Sequence, residues 1–215
     1  MNTSFANVFS ASKSMVIAEL SANHNGSLDR ALATVRAAAE SGADAVKLQT
    51  YTADTLTIAC QRPEFIVSGG LWKGRSLYDL YQEAHTPWEW HPALFEEAKR
   101  HGLPIFSTPF DASAVSFLEE LGVELYKIAS FEIVDLELIE HIARTRKPII
   151  MSTGMANLAE IDEAVRCIRN VWGNAIIPLC LLHCVSEYPA SPAAMNLRTI
   201  PHLRDAFGVI SGLSD

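Results

Sequence analysis

The sequence predicts an α/β protein, and a TIM-type (β/α)8 barrel accounts for it better than an open doubly wound sheet. Seven short runs are almost continuously apolar, which is typical of parallel strands that are covered on both faces. Polar loops and amphipathic segments alternate with these runs. The first strand-to-helix turn, SANHNGS, lacks the G-x-G-x-x-G glycines that an open nucleotide-binding sheet would usually carry.

The predicted strands recur along the whole chain. They are the runs MVIAELSA, DAVKLQT, LPIFSTPF, ELYKIAS, KPIIMSTG, IIPLCLLHCVS and FGVISGLSD. Six helical segments separate them, and their predicted capping residues are Ser27, Thr86, Asp111, Asp135, Asn157 and Thr199. The seventh run ends with the chain at Asp215, so about seven of the eight barrel strands are present. We therefore expect one barrel domain over residues 1–215, truncated before its last strand.

Composition excludes several classes of protein. Of the 215 residues, 49% are hydrophobic and 20% charged, which indicates a globular chain, and the net charge of −8 without a basic run argues against a nucleic-acid surface. No stretch approaches the roughly 18 apolar residues of a membrane span, and the start does not resemble a signal peptide. We expect a cytoplasmic protein, with reduced and mostly structural thiols at Cys60, Cys167, Cys180 and Cys184.

Two lysines, Lys47 and Lys127, lie within predicted strands whose other residues are mostly apolar and suited to a buried core. An unpaired ammonium is costly there, so Lys47 and Lys127 either reach solvent at the rim or meet an anion. Barrels carry their catalytic groups at the carboxyl ends of strands. The polar residues expected at these ends are Glu19, Asn23, His24, Gln49, Thr50, Ser107, Thr108, Ser130, Ser152, Ser186 and Ser214. Such a mouth suits a small phosphorylated and carboxylated ligand, although each hydroxyl alone could equally cap a loop or helix.

Read in order, these strand ends resemble the sialic acid synthase family, the enzymes that condense phosphoenolpyruvate with an amino sugar. The matching segments are IAELSANHNGS, AVKLQTYTADT, FSTPFD, YKIASFEI, IIMSTGMA, LHCVSEYPA and GLSD, and they span residues 16–215. Two further segments, SLYDLYQEAHTPWEWH and MNLRTIPHLRDAFGV, resemble the pseudaminic acid synthase branch of that family.

The resemblance implies roles for individual residues. Lys47 and Lys127 would hold the phosphate and carboxylate of phosphoenolpyruvate, and Glu19 would act on protons near the reacting centre. Tyr188 and Asn23 would lie on the sugar side of the site, whereas a role for His24 beyond structural hydrogen bonding stays open. Hydroxyl donors to phosphoenolpyruvate would be Thr108, Ser130, Ser152, Ser186 and Ser214.

The implied reaction joins phosphoenolpyruvate to 2,4-diacetamido-2,4,6-trideoxy-L-altrose, giving pseudaminic acid and phosphate with C–O cleavage. A divalent metal, commonly Mn²⁺, would polarise the sugar aldehyde. Its histidine ligands and the antifreeze-like (SAF) domain of the family would lie beyond Asp215, so we expect no metal ligands here and little activity from these 215 residues alone. The full-length protein would be a homodimer.

Three alternatives stay open at this point. An N-acetylneuraminate or legionaminate synthase would use the same phosphoenolpyruvate contacts with a different sugar. A barrel aldolase would use Lys127 or Lys47 to form a Schiff base, which needs one lysine and leaves the hydroxyls unexplained. An inactive fragment would only bind an anion, or a partner through unpaired strand edges.

Overall fold

The computed structural model describes residue 9, residues 14–187 and residues 190–215. Tyr188, which is predicted to contact the sugar, lies outside the described residues. The described chain divides into two compact units, one within residues 11–122 and the other within residues 123–215. In the described part of the chain, no helix is long and apolar enough to cross a membrane.

The first unit contains three parallel strands in the order β1-β2-β3. The strands are β1 (Ile17–Glu19), β2 (Ala45–Thr50) and β3 (Ile105–Pro109). The helices are α1 (Leu28–Glu40), α2 (Ala53–Leu56), α3 (Leu77–Ala84), α4 (His91–Arg100) and α5 (Ala112–Glu120). The sequence predicted one helix between β2 and β3, whereas the structure has three.

The second unit contains four parallel strands in the order β4-β5-β6-β7. The strands are β4 (Tyr126–Ile128), β5 (Ile149–Ser152), β6 (Leu179–Cys184) and β7 (Ile210–Ser214). The helices are α6 (Leu136–Arg144), α7 (Leu158–Trp172) and α8 (Thr199–Phe207). All seven predicted strands are therefore present and alternate with helices, which confirms the α/β class.

Each unit has a core between its strands and its helices. In the first unit, α1 packs against α4, and Val35 and Leu94 are fully buried with Leu48 of β2. In the second unit, α6 packs against α7, and the Trp172 indole N–H donates to the Ala143 carbonyl at 3.1 Å. Burying one such large apolar side chain contributes about 1.5–3 kcal/mol. These helices therefore hold one face of each sheet in place.

Four of the six predicted helix caps are confirmed: Ser27, Asp111, Asp135 and Asn157 each accept a backbone N–H of their helix. The predictions at Thr86 and Thr199 are wrong. A 3₁₀ turn over Trp88–Trp90 precedes α4, and Thr199 is already inside α8. Both α4 and α8 have a proline near their start. The first N–H groups of a helix have no intrahelical partner, so a proline there removes no hydrogen bond of the helix.

We expect Asn157→Ala to lower the free energy of unfolding by about 1 kcal/mol. The Asn157 side chain accepts from the N–H groups of Ala159 and Glu160 at 2.9 and 3.1 Å, and the Glu160 carboxylate accepts from the Asn157 N–H at 2.8 Å. Urea-induced unfolding measures the change. Asn170→Ala, an exposed position in the same helix, is the control and should change stability little; equal losses in the two variants would contradict the capping role.

Candidate active site

In the first unit, the β1–β2 register brings Glu19 and Lys47 side by side. The two residues are directly paired, so their side chains lie on the same face of the sheet. The Lys47 ammonium and the Glu19 carboxylate form an ion pair, and the second Glu19 oxygen accepts the Ser21 N–H at 3.0 Å. The Lys47 side chain is 15% exposed. Its charge is therefore met by a carboxylate within the chain.

Thr108 lies on this same face of the first unit, because it pairs with Gln49, two residues beyond Lys47. Thr108 is buried, and its Oγ1 makes no hydrogen bond within the described residues. A buried hydroxyl without a partner costs free energy, and each instance calls for an explanation. A ligand oxygen at this face would satisfy it.

Thr50 and Ser107 do not belong to this face, which corrects the sequence-based expectation. They occupy the alternate positions of β2 and β3, where their hydroxyl oxygens lie 2.6 Å apart. Thr50 Oγ1 also lies 2.9 Å from His91 Nε2 of α4, and all three residues are buried. Burial lowers the pKa of His91 to about 4, so the imidazole is neutral and the network is structural.

The loop after β1 positions Asn23 and His24 differently. Asn23 is exposed and its side-chain amide donates to the Leu20 carbonyl at 3.0 Å, which closes the loop. His24 is buried edge-on against Trp90, and its Nδ1 accepts the Gly26 N–H at 3.1 Å. Burial lowers the pKa of His24, so the ring is neutral and carries its proton on Nε2. His24 Nδ1 therefore helps to fix this loop, whereas His24 Nε2 is buried without a hydrogen bond among the described residues. A role for His24 beyond structural hydrogen bonding stays open, and sugar contact by Asn23 stays a prediction.

In the second unit, the Lys127 ammonium is buried and does not reach solvent. Lys127 is 5% exposed, and its Nζ donates to the Ile128 carbonyl at 2.8 Å and to Ser152 Oγ at 2.5 Å. Burial lowers the pKa of Lys127 to about 8, and the electrostatic effects of Cys184 and Glu132 oppose that shift. Both hydrogen-bond acceptors are neutral, so the ammonium is compensated only in part, by the nearby Glu132 carboxyl, and an anionic ligand would stabilise it further. The alternative prediction, that the Lys127 side chain reaches solvent at the rim, is therefore wrong.

Two of the predicted hydroxyls converge near the start of the loop after β5. Ser130 Oγ accepts the Gly154 N–H at 3.2 Å and lies 3.1 Å from Cys184 Sγ. A Cβ atom at position 154 would lie 2.7 Å from Cys184 Sγ, 2.7 Å from Ser186 Oγ and 2.9 Å from Ser130 Oγ. Only a glycine leaves room for these three side chains to meet above the backbone.

Register places the remaining predicted hydroxyls of the second unit on the Lys127 face. Lys127 pairs with Ile150, two residues before Ser152 on β5. Ser214 pairs with Cys184 at the carboxyl end of β6, and Cys184 lies four residues beyond Cys180, the partner of Ile150. Since alternate residues of a strand share a face, Lys127, Ser152, Cys184 and Ser214 do so. This is the arrangement expected from the strand ends, and anion binding by it stays a prediction.

Sequence analysis missed Glu132, which lies in the 3₁₀ turn after β4. Burial raises the pKa of its carboxyl group, while the nearby Lys127 ammonium opposes the shift. Its Oε2 atom is buried and makes no hydrogen bond within the described residues. An acidic residue in a turn is normally solvated, so nothing in the sequence distinguished this one. Gly154 and Cys184 were missed for a similar reason, because their importance depends on what meets them in space.

A metal site does not follow from these residues. Across residues 14–187 and 190–215, no group of three or more His, Cys, Asp or Glu side chains is placed to hold a metal ion. The described residues therefore do not fit the divalent cation that the sequence resemblance implies.

Parallel strands that alternate with helices and carry polar side chains at their carboxyl ends are typical of a TIM-barrel-type α/β protein. The crystal structure of an N-acetylneuraminic acid synthetase from Leptospira borgpetersenii, in complex with citrate, matches 94% of this chain and 64% of its own, with a TM-score of 0.81 at 31% identity. Residues 34–215 match the NeuB family model, and the chain belongs to the NeuB family.

Two curated relatives are similar to most of this chain. The chain is 50% identical over 200 residues to the pseudaminic acid synthase of Helicobacter pylori, covering 93% of this chain and 58% of that protein. It is 39% identical over 201 residues to the N,N'-diacetyllegionaminic acid synthase of Legionella pneumophila, covering 93% and 56%. The chain thus spans somewhat more than half the length of these relatives.

We expect Glu132→Gln to be more stable than the parent at about pH 8, with the advantage shrinking towards about pH 4. The raised pKa means that the folded state favours the protonated carboxyl, so stability is lost as pH rises through the folded pKa. Glutamine cannot ionise and avoids this loss. Urea unfolding at the two pH values measures it, with Glu163→Gln on the exposed face of α7 as the control. A parent more stable than Glu132→Gln at about pH 8 would contradict the burial argument.

Proposed function

We propose that the protein is a phosphoenolpyruvate-dependent nonulosonic acid synthase, and that its product is pseudaminic acid. The observation that carries the proposal is the buried Lys127 ammonium, which donates to two neutral acceptors, the Ser152 hydroxyl and the Ile128 carbonyl. Membership of the NeuB family supports the reaction class. The 50% identity to a pseudaminic acid synthase, against 39% to a legionaminic acid synthase, supports the product.

In the second unit, the proposed phosphoenolpyruvate contacts are the Lys127 ammonium and four hydroxyls that donate to phosphate and carboxylate oxygens; the hydroxyls belong to Ser130, Ser152, Ser186 and Ser214. In the first unit, the family resemblance implies the same role for the Lys47 ammonium and for the Thr108 hydroxyl, which makes no hydrogen bond within the described residues. Ammonium groups fixed before the substrate arrives stabilise developing charge without having to reorganise. No covalent enzyme intermediate is required.

Glu19 is the proposed proton-handling group. Its carboxylate is ion-paired to Lys47 through one oxygen and fixed by the Ser21 N–H at the other. A carboxylate held in this way is oriented towards the same face as the proposed anion contacts of the first unit. Its role is to take or deliver a proton when water or the sugar reacts.

The remaining features of the proposed enzyme come from the family resemblance. Asn23 and Tyr188 are the proposed sugar contacts, and the sugar is 2,4-diacetamido-2,4,6-trideoxy-L-altrose. Mn²⁺, a homodimer, a cytoplasmic location and a C-terminal SAF domain complete the proposal for the full-length protein. The metal would act as a Lewis acid on the sugar aldehyde.

A Schiff-base aldolase is the second candidate, because one observation favours it. The pKa of Lys127 is lowered to about 8, as an amine nucleophile requires. Borohydride trapping with pyruvate, whose ketone can form a Schiff base with a lysine, distinguishes the two candidates. A covalent adduct on Lys127 would support the aldolase, whereas the synthase proposal predicts none.

The test of the main proposal is phosphate release from phosphoenolpyruvate by the full-length protein in the presence of Mn²⁺. The trideoxy diacetamido sugar, the legionaminic acid precursor and N-acetylmannosamine are offered separately. We expect release with the trideoxy sugar, and Lys127→Gln to abolish it. Release only with another sugar would move the product assignment within the family, and no release with any sugar would overturn the synthase proposal.

Phosphoenolpyruvate affinity should fall as pH rises above about 8. Lys127 is charged below its pKa of about 8 and neutral above it, and the bound anion favours the charged form, so the dissociation constant rises between about pH 8 and the higher pKa of the complex. Calorimetric titration over this range measures the effect. Lys127→Gln should bind more weakly and with a flat profile, whereas the exposed control Lys99→Gln should behave as the parent. A flat profile in the parent would contradict the role of this ammonium.

A further inference from the structure

The hydroxyl of Ser130 has two neighbours that can donate to it. Gly154 N–H donates to Ser130 Oγ at 3.2 Å, and Cys184 Sγ lies 3.1 Å from the same oxygen. A serine hydroxyl accepts two hydrogen bonds and donates one. If the Cys184 thiol donates, both acceptor positions of Ser130 are filled and its only O–H must point elsewhere.

We propose that Cys184 is a positioning residue, whose thiol donates to Ser130 Oγ and thereby directs the Ser130 O–H towards the anionic ligand. The inference rests on the proposed function, because it assigns the ligand oxygen that receives this O–H to phosphoenolpyruvate. Cys184 itself does not need to touch the substrate.

The backbone and the register both support this role. Cys184 lies at the carboxyl end of β6, on the face that also carries Lys127 and Ser214. Gly154 lets the thiol approach closely, because a Cβ atom there would come within 2.7 Å of Cys184 Sγ and 2.9 Å of Ser130 Oγ. Any larger residue at position 154 would push the two side chains from this contact.

The same strand carries a second cysteine for comparison. Cys180 lies on the same face four residues earlier and is more deeply buried. Burial raises the pKa of Cys180 to about 12, so it stays a neutral thiol. The two cysteines of β6 therefore provide a matched pair, of which one contacts Ser130.

The experiment compares three variants of the full-length protein: Cys184→Ala, Cys184→Ser and Cys180→Ala. Calorimetry gives the dissociation constant of phosphoenolpyruvate, steady-state kinetics give kcat and KM, and thermal unfolding gives Tm. Loss of one hydrogen bond that orients Ser130 should weaken phosphoenolpyruvate binding by about threefold to tenfold in Cys184→Ala. We expect KM for phosphoenolpyruvate to rise more than kcat falls.

Cys184→Ser keeps a donor at this position and should restore most of the affinity, which a purely structural role for the sulfur would not predict. Cys180→Ala should lower Tm while its phosphoenolpyruvate affinity stays near that of the parent. The double variant Cys184→Ala with Ser130→Ala should bind no more weakly than Ser130→Ala alone, because the thiol acts through that hydroxyl.

Unchanged or tighter binding by Cys184→Ala would overturn the inference, since it would mean that Ser130 donates to the sulfur rather than to the ligand. Equal losses in Cys184→Ala and Cys184→Ser, together with a matching fall in Tm, would also overturn it. Failure of the proposed function would give a different result, because the parent protein itself would then not bind phosphoenolpyruvate.

Discussion

The burial of the Lys127 ammonium constrains the second unit more than any other single feature. A charge removed from water must be paired or it loses its proton more easily, and here the pKa falls to about 8. Its two hydrogen-bond acceptors, the Ile128 carbonyl and the Ser152 hydroxyl, are neutral, and the nearby Glu132 carboxyl offsets its charge only in part. An anion that binds at these strand ends would therefore stabilise the ammonium further.

Lys47 also lies in an apolar strand, but the charge of its ammonium is balanced in a different way. The Glu19 carboxylate forms an ion pair with it. An anion that binds there must share the ammonium with that carboxylate, whereas Lys127 has neutral hydrogen-bond acceptors and only a nearby carboxyl, that of Glu132. The two lysines are therefore not equivalent. Lys127 gains more from an anion, and Lys47 holds the Glu19 carboxylate in place.

The sequence predicted the strands and the polar residues at their carboxyl ends because strand ends follow simple rules. Buried runs are readable, and polar residues at their carboxyl ends mark a candidate site, as at Lys127 and Ser130. Position alone did not say which face a residue occupies, so Thr50 and Ser107 were assigned to the site although they bond to each other. The importance of Glu132 depends on burial that a turn sequence does not reveal. Such contacts exist only after folding.

The partnerless polar atoms are more informative about function than the well-bonded ones. Thr50 and Ser107 are satisfied within the chain, and their burial is explained by the fold alone. The Thr108 hydroxyl and one Glu132 oxygen are buried without a hydrogen bond in the described residues, which costs free energy. An anionic ligand oxygen would accept the Thr108 O–H, which is the same argument that applies to the charge of Lys127. The Glu132 oxygen needs a donor instead, because an ionised carboxylate accepts hydrogen bonds and donates none.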